Sequence, residues 1–313
     1  MRMMNCNDRD DRKDSNDHDD ITEPVSLTRR QCFDEGVETL TEAGIDEAHS
    51  DVKLLMEYIT DVTYNDMYLH PDELIPAEAV ASFREALKRR TEHIPVQYIT
   101  GRQEFMGLDM SVSPDVLIPR FDTETLVEEI LRLGLTGIDI LDVCTGSGCI
   151  LISLLHYMHD CRGVGVDISD KALKIADSNA RRHKVDAKFF EGDLFDALIR
   201  AHEADNEVKL KYDLIVSNPP YIPTDVIPTL MEEVRDHEPI IALDGSSDGL
   251  IFYRRIVKDA PKYLVRGGRL YMEIGWDQGA SVSRIMEDEG FDDIEIYTDL
   301  GGNDRVICGE WRR

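Results

Sequence analysis

From about residue 117 to the C-terminus, short apolar runs alternate with stretches of helical character. That order calls for an α/β fold built on a mostly parallel sheet. The runs occupy residues 138–143, 164–166, 187–190, 214–216 and 269–274. Two more, 294–297 and 305–308, follow with Gly301, Gly302 and Asn303 between them. Parallel neighbours need a crossover of about a dozen residues or more, so this last pair is expected to run antiparallel. Each of the first four runs ends on a polar or glycine-rich segment, and in an open α/β sheet the ends of strands are where ligands bind.

The first such segment is Asp142-Val143-Cys144-Thr145-Gly146-Ser147-Gly148, which leads into a helix at Cys149. Gly146 and Gly148 permit a sharp turn and close approach of backbone to ligand. A dinucleotide-binding loop would have a third glycine where Leu151 stands. A P-loop would have Gly-Lys followed by Ser or Thr, which is absent. With both phosphate cradles excluded, the favoured ligand is S-adenosylmethionine. The second segment ends at Asp167, nineteen residues after Gly148. A carboxylate there can accept from both hydroxyls of a ribose. The alternative is a helix cap, but Ser169 or Asp170 can fill that role. The third is Glu191-Gly192-Asp193-Leu194, where Asp193 is either an acceptor for an adenine amino group or a turn residue.

The fourth, Asn218-Pro219-Pro220-Tyr221, is the most specific. Two prolines stiffen the backbone and remove two N–H donors. The Asn218 side-chain oxygen and the Pro219 carbonyl then accept both hydrogens of a planar NH2 group, and Tyr221 packs on it. The chemistry this suits is methyl transfer to an amide or amino nitrogen, promoted by orientation and electrostatics rather than by a strong base. A strand-ending turn with an apolar cap is the plain alternative.

The remainder divides by composition. Residues 1–24 carry eight acidic and four basic side chains and almost nothing to bury, so a disordered acidic tail is expected. Residues 25–93 read as a helical unit, with Ala48, Val52, Leu55, Met56 and Ile59 on one stripe and Val80, Phe83, Ala86 and Leu87 on another. Pro76 is placed at a helix N1 position. Packing alone or docking of a substrate both fit this unit. Residues 94–116 read as a hairpin linker, with Gln97-Tyr98-Ile99 and Asp109-Met110-Ser111-Val112 extended and Gly101 and Gly107 as breaks. Residues 117–313 form the α/β domain.

Composition narrows the partners. The formal charge is −28, which repels a phosphate backbone unless a local basic stripe compensates. The two densest basic runs, Lys88-Arg89-Arg90 and Arg181-Arg182-His183-Lys184, fall late in expected helices, where solvated cations favour the helix dipole. No stable nucleic-acid partner is expected. Six scattered cysteines form no C-x-x-C pair and no metal-ligand spacing. There is no signal-peptide core and no apolar run near the ~20 residues that span a bilayer. A soluble cytoplasmic protein acting as a monomer is the expectation.

Together these segments resemble the release-factor glutamine N5-methyltransferase family (HemK/PrmC type). The likeness extends over about residues 27–311. Further marks are Pro95-Val96-Gln97-Tyr98-Ile99-Thr100-Gly101, Ile118-Pro119-Arg120-Phe121-Asp122-Thr123-Glu124, Glu238-Pro239 and Asn303-Asp304-Arg305-Val306. The resemblance implies a class I methyltransferase (Rossmann-like) fold with a seven-stranded sheet and a small N-terminal helical domain. It implies S-adenosylmethionine held by Cys144, Thr145, Gly146, Ser147, Gly148, Asp167, Asp193, Leu194 and Asn218. It implies catalysis by Asn218, Pro219 and Tyr221, with Pro220 helping to hold the substrate. The implied substrate is the glutamine of a Gly-Gly-Gln loop in class 1 peptide chain release factors. Cys144 departs from the family pattern, standing where glycine is common, and Leu194 stands where some members carry an aromatic. The rivals are a DNA or RNA amino-methyltransferase and a binding module on a catalytically dead fold.

Overall fold

The computed structural model describes residues 26–206 and 208–313. The expectation of a disordered tail at 1–24 lies outside these residues.

The N-terminal unit is helical. A two-residue strand, β1 (Leu27–Thr28), precedes α1 (Arg29–Glu42). Thr28 caps α1 in a capping box: its hydroxyl accepts from the Gln31 N–H, and the Gln31 side chain accepts in return. Then come α2 (Ala48–Thr60), α3 (Tyr64–Leu69), β2 (Leu74–Ile75) and α4 (Ala77–Thr91). Strands β1 and β2 pair antiparallel and clip the unit together. The two expected stripes are buried: Val52, Leu55 and Met56 of α2 pack with Val80, Phe83 and Leu87 of α4. Pro76 sits one place earlier than expected, as the residue before α4, with extended ψ.

Arg90 corrects the reading of the first basic run. It is buried, donating from Nε to Asp51 at 2.7 Å and from a terminal nitrogen to Glu233, across to the α/β domain. Helix dipole arguments missed this because the partners lie 39 and 143 positions away in the chain. Arg181 and Arg182 are exposed and paired with Asp177 and Asp109.

The linker differs from its expected form at one end. Residues 97–99 are not extended but lie within α5 (Val96–Thr100), which Gly101 ends in the left-handed region at φ 71°. Val96, Tyr98 and Ile99 all turn to apolar surroundings, and the Tyr98 hydroxyl donates to the Val116 carbonyl at 2.6 Å. A run that short carries too few residues to show a helical period. The hairpin itself follows, β3 (Arg102–Phe105) against β4 (Leu108–Ser111).

The α/β domain opens with α6 (Phe121–Arg132). The chain continues through β5 (Asp139–Val143), α7 (Cys149–Tyr157), β6 (Arg162–Asp167), α8 (Asp170–His183) and β7 (Ala187–Glu191). It then forms α9 (Asp196–Ala204), β8 (Tyr212–Ser217), the one-and-a-half-turn α10 (Glu232–His237), and α11 (Ile251–Asp259). It closes with β9 (Leu264–Glu273), α12 (Gly279–Glu289), β10 (Asp292–Thr298) and β11 (Asp304–Trp311). The seven strands order as β10-β11-β9-β8-β5-β6-β7. β5 through β9 are parallel, while β11 runs antiparallel to both β9 and β10. This is the strand order and polarity of a class I methyltransferase sheet.

All five residues of β5 are buried, as are Leu214, Ile215 and Val216 of β8. Helices cover both faces, so these strands are mainly apolar on both sides rather than alternating, with Asp139 and Asp142 the buried polar residues of β5. Two apolar clusters, one on each face, contribute about 1.5–3 kcal/mol per buried large side chain. The order reverses between β5 and β8, and a crevice opens there at the carboxyl ends of the strands. Among the described residues, no helix is long and apolar enough to cross a membrane.

Candidate active site

The crevice is a cavity of about 260 Å³. Its wall includes Cys144, Thr145, Gly146, Ser147, Asp167, Asp193, Leu194, Asn218 and Pro220. The strand-end residues singled out in the sequence are thus drawn to one place, with three exceptions. Gly148 lies behind the wall, where a Cβ would come within 2.9 Å of Ile152 and 3.1 Å of Ala176. Its role is to let α7 start against α8. Pro219 and Tyr221 are also absent from the wall. The Tyr221 ring packs against the apolar core, and its hydroxyl donates to Glu273 at 3.0 Å.

The loop after β5 turns through left-handed backbone at Cys144 (φ 63°), Gly146 (φ 55°) and Gly148 (φ 79°). Such backbone favours glycine, and the Cys144 side chain there costs about 1–2 kcal/mol. The loop is held from outside. Asn179 of α8, fully buried, donates to the carbonyls of Ser147 at 3.0 Å and Ser111 at 3.1 Å and accepts from the Ser111 N–H at 2.7 Å. One side chain therefore joins glycine loop, helix and hairpin. Ser217 ties the end of β8 to β5 by donating to the Val143 carbonyl at 2.6 Å.

Asp167 is held by backbone donors. The Gly146 N–H donates to one oxygen and the Ser169 N–H to the other, both at 2.9 Å. Ser169 is itself the cap of α8, accepting from the Ala172 N–H, so Asp167 is not used up as a cap. Burial raises the Asp167 carboxyl above its ordinary range, against the pull of those backbone bonds. A carboxylate has about four lone-pair sites, so further donors can be accepted. Asp193 is engaged on one oxygen by Arg255 at 2.7 Å. Arg120, the other wall cation, pairs with the buried Glu238.

Asp142, at the end of β5, is fully buried and accepts from the Thr145 hydroxyl at 2.6 Å. Burial pushes its carboxyl up to about 7 against that hydroxyl, and Asp167 adds to the rise. The folded protein therefore holds the proton more tightly than the unfolded chain. This contribution to stability is complete in acid and is lost as pH rises through about 7. In denaturant unfolding without added ligand, Asp142→Asn, which keeps an acceptor for Thr145, should gain on the wild type between about pH 4 and pH 7. A stability difference constant across that window would contradict the assignment.

Several wall residues carried no usable signal in the sequence. Phe252 and Arg255 reach the cavity from α11, far from any strand-end motif, and Ile168 reaches it from the exposed turn just after Asp167. Arg120, the residue before α6, and Thr123, in its first turn, also line it and carry only the family mark in sequence. Glu273, the last residue of β9, lies between Met272 and Ile274 in the run 269–274 and belongs to no strand-end motif.

The chain is similar to known proteins along most of its length. Residues 31–101 match the PrmC N-terminal domain, and residues 136–289 match a methyltransferase domain. The chain is 41% identical over 286 residues to a release factor glutamine methyltransferase of Geobacter sulfurreducens, covering 91% of this chain and 98% of that one. It is 39% identical over 274 residues to the one from Agrobacterium fabrum, covering 86% and 92%. A solved protein-(glutamine-N5) methyltransferase, release factor-specific, from Alicyclobacillus acidocaldarius is 31% identical, with a TM-score of 0.39 and coverage of 65% of this chain and 100% of that one. With relatives at this identity matched along nearly their whole length, the chain belongs to the release factor glutamine methyltransferase family.

Proposed function

We propose that this enzyme transfers a methyl group from S-adenosylmethionine to the side-chain amide nitrogen of the glutamine in the Gly-Gly-Gln loop of class 1 peptide chain release factors. The observation that supports it most is the position of Asn218. It follows β8 directly and lines the cavity together with Pro220.

The cavity suits the cofactor by the character of its lining. Val166, Ile168, Leu194 and Phe252 make apolar surface for a purine. The two wall arginines are each ion-paired. Asp167 is held by N–H groups, with no cation paired to it among the described residues. The wall thus carries uncompensated negative charge, which fits a sulfonium and disfavours a phosphate. Asp167 would hold the ribose hydroxyls, Asp193 and Leu194 the adenine, and residues 144–148 the methionine end. When bound, the cofactor supplies a methyl group activated by positive sulfur.

The chain's own residues act on the acceptor. An amide lone pair is delocalised and weakly nucleophilic. The Asn218 oxygen and Pro219 carbonyl accept both hydrogens of the glutamine NH2, fix the nitrogen in line and draw electron density onto it. The amide proton is lost to water after the carbon–nitrogen bond forms. Pro220 closes the wall beside them.

The helical unit at 25–93 serves, in this reading, to dock the release factor. It is joined to the α/β domain by Arg90, the hairpin linker spans 94–116, and residues 117–313 carry the chemistry. Tyr68, Leu69 and Leu74 stand 79%, 67% and 65% exposed on the helical unit. A DNA or RNA amino-methyltransferase is the rival. Its groove would need free cations, but Arg90 is buried and Arg181 and Arg182 are paired with aspartates. The protein is expected to work as a cytoplasmic monomer. The test is transfer of labelled methyl to a purified class 1 release factor, to its Gly-Gly-Ala copy and to duplex DNA. The proposal predicts label on the intact factor alone; label on DNA, or equal label on both factor forms, would overturn it.

A further inference from the structure

Glutamine and glutamate side chains have the same shape, so a site that methylates only the amide must tell them apart by hydrogen-bond polarity. Asn218 has the same ambiguity: its oxygen and nitrogen exchange by a half-turn that changes no packing. Only its neighbours can decide which one faces the cavity.

The neighbour is Thr123. Its hydroxyl oxygen lies 3.3 Å from the Asn218 Nδ2 and 2.5 Å from Glu273 Oε2. Glu273 and Thr123 are both buried, each 2% exposed. The other Glu273 oxygen accepts from the Tyr221 hydroxyl. A hydroxyl has one proton, and a carboxylate can only accept. With Glu273 ionised, the Thr123 proton is committed to it, and the Thr123 oxygen must accept from Asn218. Asn218 then turns its NH2 to Thr123 and its oxygen the other way. A half-turn of the amide would set oxygen against an oxygen with no proton left to give. Burial raises the Glu273 carboxyl above its ordinary range, against the opposing pull of the Thr123 and Tyr221 hydroxyls and the Arg305 charge. Arg305 is kept nearby by Asp299 at 3.0 Å and Asp122 at 3.3 Å.

We propose that Glu273, acting through Thr123, locks Asn218 with its oxygen toward the substrate, so that the site selects an amide over an isosteric carboxylate. This rests on the reading that Asn218 receives the glutamine amide. Glu273 and Thr123 are positioning residues: they set which end of Asn218 the substrate meets. With the lock removed, Asn218 can present NH2, which repels the glutamine amide and welcomes a carboxylate.

The experiment uses a release factor whose loop glutamine is replaced by glutamate, as a competitive inhibitor of methylation of the intact factor. Wild-type enzyme, Glu273→Gln, Thr123→Val and Thr123→Ser are compared, with S-adenosylmethionine affinity measured calorimetrically as the check on folding. Glu273→Gln and Thr123→Val should lower kcat about tenfold and strengthen inhibition by the glutamate factor about tenfold, the effect of one misdirected hydrogen bond. Thr123→Ser, which keeps the hydroxyl, should restore both. Should Glu273→Gln fail to bind the cofactor, Thr123→Val alone decides. A fall in kcat with unchanged inhibition by the glutamate factor would mean a structural role only and overturn the lock. Wild-type enzyme that leaves the intact factor unlabelled would overturn the underlying function as well.

Discussion

Asn218→Ala should slow methyl transfer to the release factor about a hundred- to a thousandfold, the usual loss when one preorganised polar contact to a reacting group is removed. The alanine deletes the oxygen that accepts one amide hydrogen, and leaves the Pro219 carbonyl to hold the other alone. Asn218 is only partly buried at the mouth of β8, so its loss opens no core cavity. The fold, read by thermal unfolding, should change little, and the cofactor affinity, read by calorimetry, should fall far less than kcat. The loss should appear in kcat under saturating cofactor, because the contact orients the nitrogen as the new bond forms. Near-normal turnover would show that the backbone carbonyl suffices and that Asn218 is a turn residue.

Asp167→Asn should weaken S-adenosylmethionine binding about a hundredfold. The carboxylate accepts from the Gly146 and Ser169 N–H groups, and the amide would set its own NH2 against one of them. Loss of charge also weakens every bond a ribose diol makes to the group. Hydrogen bonds to charged groups contribute about 1.5–3 kcal/mol each, and about 2.7 kcal/mol corresponds to two decades in affinity. Equilibrium binding checks this without any turnover. An unchanged dissociation constant would place the ribose elsewhere in the cavity.

How far the fold and site could be read in advance depended on whether the cause was local. The central strands β5, β8 and β9 were legible because strands covered on both faces are mainly apolar, and the short spacing before Arg305 forbids a crossover between the last two strands of the chain. The strand-end positions of Asp167 and Asn218 followed from the same runs. What stayed hidden was non-local. α5 is too short to show a period, and its helical form is set by what Tyr98 reaches. Arg90 looked like a solvated helix end because Glu233 is far along the chain. The wall residues Phe252 and Arg255 come from α11, whose apolar face is ordinary packing in sequence. Glu273 and Thr123 show no motif that links them; their meaning arises only when β9 and α6 bring them beneath Asn218. The departure at Cys144 was visible, but its cost became clear only from the left-handed backbone it occupies.

The central claim is that an amide nitrogen of one glutamine receives the methyl group. Its most direct test is tandem mass spectrometry of a release factor after incubation with the enzyme and S-adenosylmethionine, with fragments that bracket the Gly-Gly-Gln loop. The account predicts one added methyl on the glutamine side-chain nitrogen and none when Asn218→Ala enzyme is used for the same short time. A methyl group on any other residue, or on the factor's nucleic-acid contaminants alone, would contradict it.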